Sequence, residues 1–310
     1  MKKTDERKGH PKRFRFWAVC LAISSVVCLA DKRFALAAGE PQWHTFDWTE
    51  VEVVAGAGPV KAAIMLPIKV NGVECYGQLD TGAPGMVIWK RPTDTALPVE
   101  QVAIEIAGHR HIVDASESQL ALLRGGSCKT KAIATIGNAY FDNGTLTLDL
   151  KRRHFSFAVA ALLENESKAR PFHYPRWSGN EGGHIVVQVG LPNGQTGDAI
   201  LDTGAASFGL STLTQTDWNT LTGGVALRES ATVQAYTVNS WGKQVPCFTT
   251  DAPGSILIGP SLSVSHFSVS YCALESFKPG QKLIGVLGLR YLNDRIITLD
   301  YLSRRWLISE

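Results

Sequence analysis

Long apolar runs are nearly missing from this chain. One stretch of fifteen residues, Phe16 to Ala30, is apolar but for Ser24 and Ser25, whereas a membrane-crossing helix needs about 20. No other segment approaches that length, so no span is expected in the mature chain. Cysteine is sparse. The six cysteines include no Cys-x-x-Cys pair, which argues against a zinc or dithiol redox site. His-Glu-x-x-His is absent, and so is each glycine-rich phosphate loop. Metal-assisted hydrolysis and nucleotide chemistry therefore find no support, and neither a metal nor a cofactor is expected. No motif pairs a Ser or Cys nucleophile with a His, and the eight His are scattered, as surface or packing residues are. Neither sign of charge dominates: 31 Lys and Arg stand against 28 Asp and Glu, a net of +3. Much of the excess lies in the first fifteen residues, at Lys2, Lys3, Arg7, Lys8, Lys12, Arg13 and Arg15. Nothing suggests a nucleic-acid partner.

That basic start, the apolar stretch behind it and the small residues Ala35-Leu36-Ala37-Ala38 make a targeting signal over residues 1–38. Cleavage fits after Ala37 or Ala38, and also after Ala30; an uncleaved N-terminal anchor is the alternative. An exported protein is expected, periplasmic or secreted. Cys20 and Cys28 fall inside the signal, leaving Cys75, Cys128, Cys247 and Cys272. Export permits disulfides. Bridges within each half are the simplest guess, but three pairings, or four free thiols, stay open.

The most informative content is a repeated triplet. Leu79-Asp80-Thr81-Gly82-Ala83 is echoed by Leu201-Asp202-Thr203-Gly204-Ala205. Before each Asp the pattern reads strand, Asn-Gly turn, strand: Ala63 to Val70, Asn71-Gly72, then the run to Asp80; His184 to Leu191, Asn193-Gly194, then the run to Asp202. A second block repeats later. Ile136-Gly137 leads to Tyr140-Phe141 and Leu146-Thr147-Leu148-Asp149; Leu287-Gly288 leads to Tyr291-Leu292 and Ile297-Thr298-Leu299-Asp300. Gly to Asp is 12 residues in both blocks. Shared order and spacing mark an internal duplication.

Alternating apolar residues, frequent β-branched residues and closely spaced turn signals predict a mostly β protein. Short helices are expected only near Ser211–Asn219 and after the two late glycines. Lobe one is assigned to residues 43–160, a linker to 161–181 and lobe two to 182–310. From Asp80 to Gly137 is 57 residues and from Asp202 to Gly288 is 86. Lobe two thus carries an insertion of about thirty residues, as loops that adapt to a substrate do.

These motifs resemble the aspartic proteases of the pepsin and retropepsin kind, in which each lobe carries an apolar-apolar-Asp-Thr/Ser-Gly loop and a later apolar-apolar-Gly turn beside it. The resemblance covers nearly the whole mature chain at the level of lobe order and is closest from Val286 to Ile308. It implies a bilobal fold of two pseudo-symmetric, barrel-like β lobes with a cleft between them, each near retropepsin size. It implies an endopeptidase in which Asp80 and Asp202 share a proton and activate water, and in which Thr81, Gly82, Thr203 and Gly204 support the pair. Thr81 and Thr203 would hydrogen-bond across the junction. Hairpins at 106–112 and 236–245 would act as flaps, with Tyr236 and Trp241 as candidate substrate contacts. Ala83 and Ala205 replace the hydroxyl residue usual in pepsin-like enzymes, which implies a less acidic optimum. A monomer acting on peptide or protein substrates is expected. The alternatives are an inactive peptide-binding protein on the same scaffold and a structural β protein whose aspartates only cap turns.

Overall fold

The protein is mostly β, 49% strand and 7% helix, and includes a nearly closed barrel-like sheet. The computed structural model describes residues 41–53, 56, 58–89, 100–116, 119, 128, 132–177, 181–228, 230–240, 243–273 and 282–310. The chain divides into the units Met1–Gly39 and Glu40–Glu310, and everything below concerns the second. The expected targeting signal at 1–38 lies outside the described residues. Among the described residues, no helix is long and apolar enough to cross a membrane.

The duplication in sequence becomes a duplication in sheet order. In the first half the neighbours run Val87–Ile88, Ala132–Ile136, Val73–Leu79, Val60–Val70, Glu100–Ile106, His109–Ala115. In the second half the same succession is Leu210–Thr212, Gly285–Leu287, Thr196–Leu201, Val186–Gly190, Ile256–Ile258, Leu262–Val264. In each half the strand that ends before the Asp lies parallel to the strand that ends before the late Gly: Leu79 opposite Ile136, and Leu201 opposite Leu287. Each of these strands is buried toward the end that meets the Asp or late Gly, where Leu79, Ile136, Leu201 and Leu287 enter the core.

The extra length of the second half is also visible. Beyond Leu210–Thr212 its sheet continues through Ser268–Cys272, Lys243–Asp251 and Gln234–Ser240. The expected insertion supplies two strands of this three-strand extension, Gln234–Ser240 and Lys243–Asp251, together with the helix Gln215–Thr222, all lying between Leu210–Thr212 and Ile256–Ile258. Cys247 and Cys272 face each other across two of these added strands and form a disulfide. The other bridge, Cys75–Cys128, ties the first half to itself. Both bridges fall within a half, yet they are not copies of one another.

A third sheet joins the halves. At its centre Thr145–Asp149 pairs antiparallel with Ile296–Asp300, the two strands that follow the matched late blocks. His154–Ala158 and Arg305–Ser309 flank them. Phe141, Phe155, Leu148, Ile297, Tyr301 and Trp306 are buried there in one continuous core. Each such side chain contributes roughly 1.5–3 kcal/mol by leaving water. The hairpin turns at either end match in backbone: Arg153 and Arg304 both adopt left-handed conformations, φ 58° and 55°. Asp149 and Asp300 accept turn amides from Arg152 and Ser303 at 2.8 and 3.0 Å.

Three expectations are refined. The two Asn-Gly turns differ: Asn71 and Gly72 both have positive φ, as a two-residue hairpin turn requires, whereas only Gly194 does in the second. There Pro192 lengthens the loop, and Gly194 N–H closes a turn onto the Leu191 carbonyl at 3.0 Å. The helix expected near 211–219 is Gln215–Thr222, capped by Thr214 accepting from Asp217 N–H and ended by left-handed Gly223. After Gly137 there is a single 3₁₀ turn, Asn138–Phe141, and after Gly288 only turns. The stretch assigned as a linker is packed over its described residues. Leu163, Ala169 and Phe172 are buried, Arg170–Pro171 pairs with Arg305–Trp306, and Arg305 Nη2 donates to the Glu166 and Ala169 carbonyls at 2.8 Å.

Candidate functional site

The two triplets meet. Each Asp sits just past its strand, its amide donating to the carbonyl before the late Gly: Asp80 N–H to Ile136 at 3.0 Å, and Asp202 N–H to Leu287 at 2.9 Å. The late glycines are required by crowding. A β-carbon on Gly137 would overlap the Gly85 carbonyl oxygen, and one on Gly288 the Ala205 carbonyl oxygen.

The threonines lock the loops together. Thr81 N–H donates to Thr203 Oγ1 at 3.0 Å, and Thr203 N–H donates to Thr81 Oγ1 at 3.0 Å. Each hydroxyl then donates across to the other half, Thr81 Oγ1 to the Leu201 carbonyl at 2.7 Å and Thr203 Oγ1 to the Leu79 carbonyl at 3.0 Å. Both threonines are buried. The triplet glycines let the carboxyls approach. A β-carbon on Gly82 would lie 2.5 Å from Asp202 Cγ, and one on Gly204 would lie 2.8 Å from Asp80 Cγ. The structure therefore brings together Asp80, Thr81, Gly82, Asp202, Thr203 and Gly204.

Asp80 and Asp202 lie carboxyl to carboxyl, close enough that each acts on the other's titration. Both keep partial solvent contact, yet they sit deep enough that lost hydration dominates their titration. Burial raises Asp80 well above the usual carboxylate range, and the Asp202 charge beside it raises it further. Burial also raises Asp202, while the hydrogen bond from Asp80 and backbone amides oppose the rise. The donors are unequal. Asp202 Oδ1 accepts Gly204 N–H at 2.7 Å, with Gly82 and Ala205 amides also bonded to that carboxyl. Asp80 Oδ1 accepts Ala83 N–H at 3.0 Å, with the Gly82 amide in addition. More and shorter N–H donors favour the charge on Asp202 and the proton on Asp80. The pair still titrates as one unit.

The flap candidates are hairpins. Ala107-Gly108 turns between Glu100–Ile106 and His109–Ala115, and Tyr140 braces that turn, its hydroxyl accepting from Ile106 N–H at 2.9 Å and donating to the His109 carbonyl. The matching Tyr291 hydroxyl accepts from Ser268 N–H at 2.7 Å. Tyr236 lies on the Gln234–Ser240 strand, packed against the Cys247–Cys272 bridge and Phe208, its hydroxyl donating to Ser270 Oγ at 3.3 Å. It is fastened to its own sheet rather than standing free. Trp241 lies outside the described residues. A groove of about 570 Å³ lies elsewhere, lined by His44, Ile68, Lys69, Tyr76 and Glu105 among others, and it holds neither aspartate.

Two residues of the site escaped the sequence reading. Asn138 is fully buried, and its Nδ2 donates to the Thr81 carbonyl at 2.7 Å and the Gly183 carbonyl at 2.8 Å. Its Oδ1 accepts from Tyr301 OH at 2.8 Å. A polar residue directly after the duplicated Gly, where the second half has Leu289, was the available signal. His184 is 6% exposed, stacks on Trp177 with ring centres 4.7 Å apart, and hydrogen-bonds the Gly82 backbone. Read as one of eight scattered His, it gave no such signal. Among the described residues, no group of three His, Cys, Asp or Glu could hold a metal ion.

No protein-family model matches this chain, and no curated protein matches it either.

Proposed function

We propose that the chain is an aspartic endopeptidase on a bilobal scaffold of the pepsin and retropepsin kind, with lobes at 43–160 and 182–310. One observation carries the reading: the duplicated loops cross so closely that each carboxyl lies against the other loop's glycine and the two acids face each other in a buried site. A turn cap has no reason to bury a second acid against the first. Like charges this close resist joint ionisation, so one carboxyl stays protonated over mid-acidic pH.

The chemistry follows from that asymmetry. Asp202, ionised, takes a proton from water as the water oxygen bonds to the peptide carbonyl carbon. Asp80 donates its proton to the carbonyl oxygen. On collapse the C–N bond breaks as Asp202 passes its proton to the leaving nitrogen, and one hydroxyl of the diol returns a proton to Asp80, which leaves a carboxylic acid and restores the pair. Substrate lies extended along strand edges, with hairpin backbone closing over it. Residues 1–38 act as the export signal, so the enzyme works in the periplasm or outside the cell, as a monomer.

Peptide-library cleavage by residues 39–310, compared with Asp80→Asn and Asp202→Asn, tests the reading. Each variant is expected to lose at least about 100-fold in kcat, the scale of a lost acid–base group. Variants that cleave as well as the parent sink it. An unmodified protein that binds peptides but cleaves none supports the peptide-binding alternative.

A further inference from the structure

Two consecutive peptide units of the first-half loop are held at both ends. The Thr81 carbonyl accepts from Asn138 Nδ2 at 2.7 Å. The N–H of that same unit belongs to Gly82 and is bonded to the dyad carboxyls. In the next unit the Gly82 carbonyl accepts from the His184 imidazole. The N–H of this unit belongs to Ala83 and ends on Asp80 Oδ1 at 3.0 Å. A donor on a carbonyl polarises the amide and strengthens the bond its N–H makes. The second-half loop is backed differently. Leu289 stands where Asn138 does. Ile64 and Ile185 occupy matching places, bonded in register with Leu79 and Leu201, so Ala63 stands where His184 does. Neither Leu nor Ala has a side chain that can donate.

We propose that His184 and Asn138 are positioning residues for the dyad, each acting through one peptide unit whose N–H ends on an aspartate. This rests on the peptidase reading of the same site. The duplicated halves are thereby unequal: the first-half loop is a stiff, polarised donor array, and the second-half loop supplies its partner carboxylate. His184 is itself fixed, by its backbone N–H on the Pro175 carbonyl at 3.0 Å and by the Trp177 ring. Burial lowers its basicity, and the bond to the Gly82 carbonyl opposes that in part. Among the described residues the titratable groups near it include the dyad beyond Gly82 and Tyr174, which bonds the Gly183 backbone and contacts Asp142 and Arg304.

The test titrates the carboxyls directly. Full-length and mature protein carrying ¹³C-labelled aspartate are followed by NMR from acid to neutral pH, unmodified and as His184→Phe, His184→Gln and Asn138→Leu, with cleavage assayed on the same samples. Removing a donor is expected to move the first dyad step upward by roughly 0.1–0.6 pH unit, the share of a hydrogen bond passed along a polarised chain. The acid limb of kcat follows it while KM stays within about twofold, and Gln at 184 restores more of the shift than Phe. Folded His184→Phe or Asn138→Leu protein whose dyad titrates as the parent does overturns the proposal. Should neither variant fold, the unmodified protein decides: the His184 imidazole ¹⁵N shift tracks dyad ionisation, and a flat response refutes the coupling. Cleavage by no sample refutes the peptidase reading alone, because the carboxyl titration still reads the coupling.

Discussion

Replacing Thr203 by Val keeps the shape and removes one oxygen, and the structure says what that oxygen does. Thr203 Oγ1 accepts Thr81 N–H at 3.0 Å and donates to the Leu79 carbonyl at 3.0 Å, both buried. Val leaves one amide and one carbonyl without a partner. Each stranded group costs about 1–3 kcal/mol, so the variant should lose about 2–6 kcal/mol. For a protein of this size that is a fall in Tm of about 4–24 °C, at roughly 2–4 °C per kcal/mol. Thr203→Ser keeps both bonds and loses one methylene-sized group, about 1 kcal/mol. Urea unfolding of the two variants separates the effects, because Val keeps the volume and loses the bonds whereas Ser keeps the bonds and loses a methyl. A double-mutant cycle with Thr81→Val should then show a coupling of about 1–3 kcal/mol, as the two residues share a network. A Val variant no less stable than the Ser variant, with a cycle that sums to zero, would refute the claim that these bonds lock the loops.

Asp80→Asn should stabilise the fold at neutral pH. The folded pKa of Asp80 is raised above its ordinary value of 3.8, so the folded state binds more protons than the unfolded one. Stability from this group is therefore fully present below about pH 4 and declines as pH rises through the elevated folded pKa. Urea midpoints across pH should flatten in the variant, and an unchanged slope would count against the buried pair. Gly288→Ala should cost about 3 kcal/mol or prevent folding, because its β-carbon overlaps the Ala205 carbonyl; soluble expression and thermal unfolding check it. The cleavage optimum should lie above the range near pH 2 associated with a strongly acidified dyad, since Ala83 and Ala205 place no hydroxyl on either carboxyl. A pH–rate profile peaking near pH 2 would contradict this.

Local order was legible. The strand before each triplet was readable along the chain, and equal Gly-to-Asp spacing marked the duplication, whereas the pairing of Leu148 with Ile297 appears only in the structure. The insertion was legible as length, not as form: 29 extra residues could extend a loop or a sheet, and only pairing with Ser268–Cys272 made them an added hairpin at the sheet's end. The segment around Arg170 looked loose because it has no periodicity. What orders it is a guanidinium from Arg305, distant in sequence, on its carbonyls.

By itself the sequence determined that this protein is duplicated, mostly β, and armed with two matched Asp-Thr-Gly loops, because periodicity and spacing are written along the chain. Only the tertiary structure decided that the two acids touch, that burial raises both, and that Asn138 and His184 hold one loop from behind. Those are contacts between residues far apart in order, such as Asn138 and Tyr301. Hydration and hydrogen bonding depend on what surrounds a group in space, which no local pattern records.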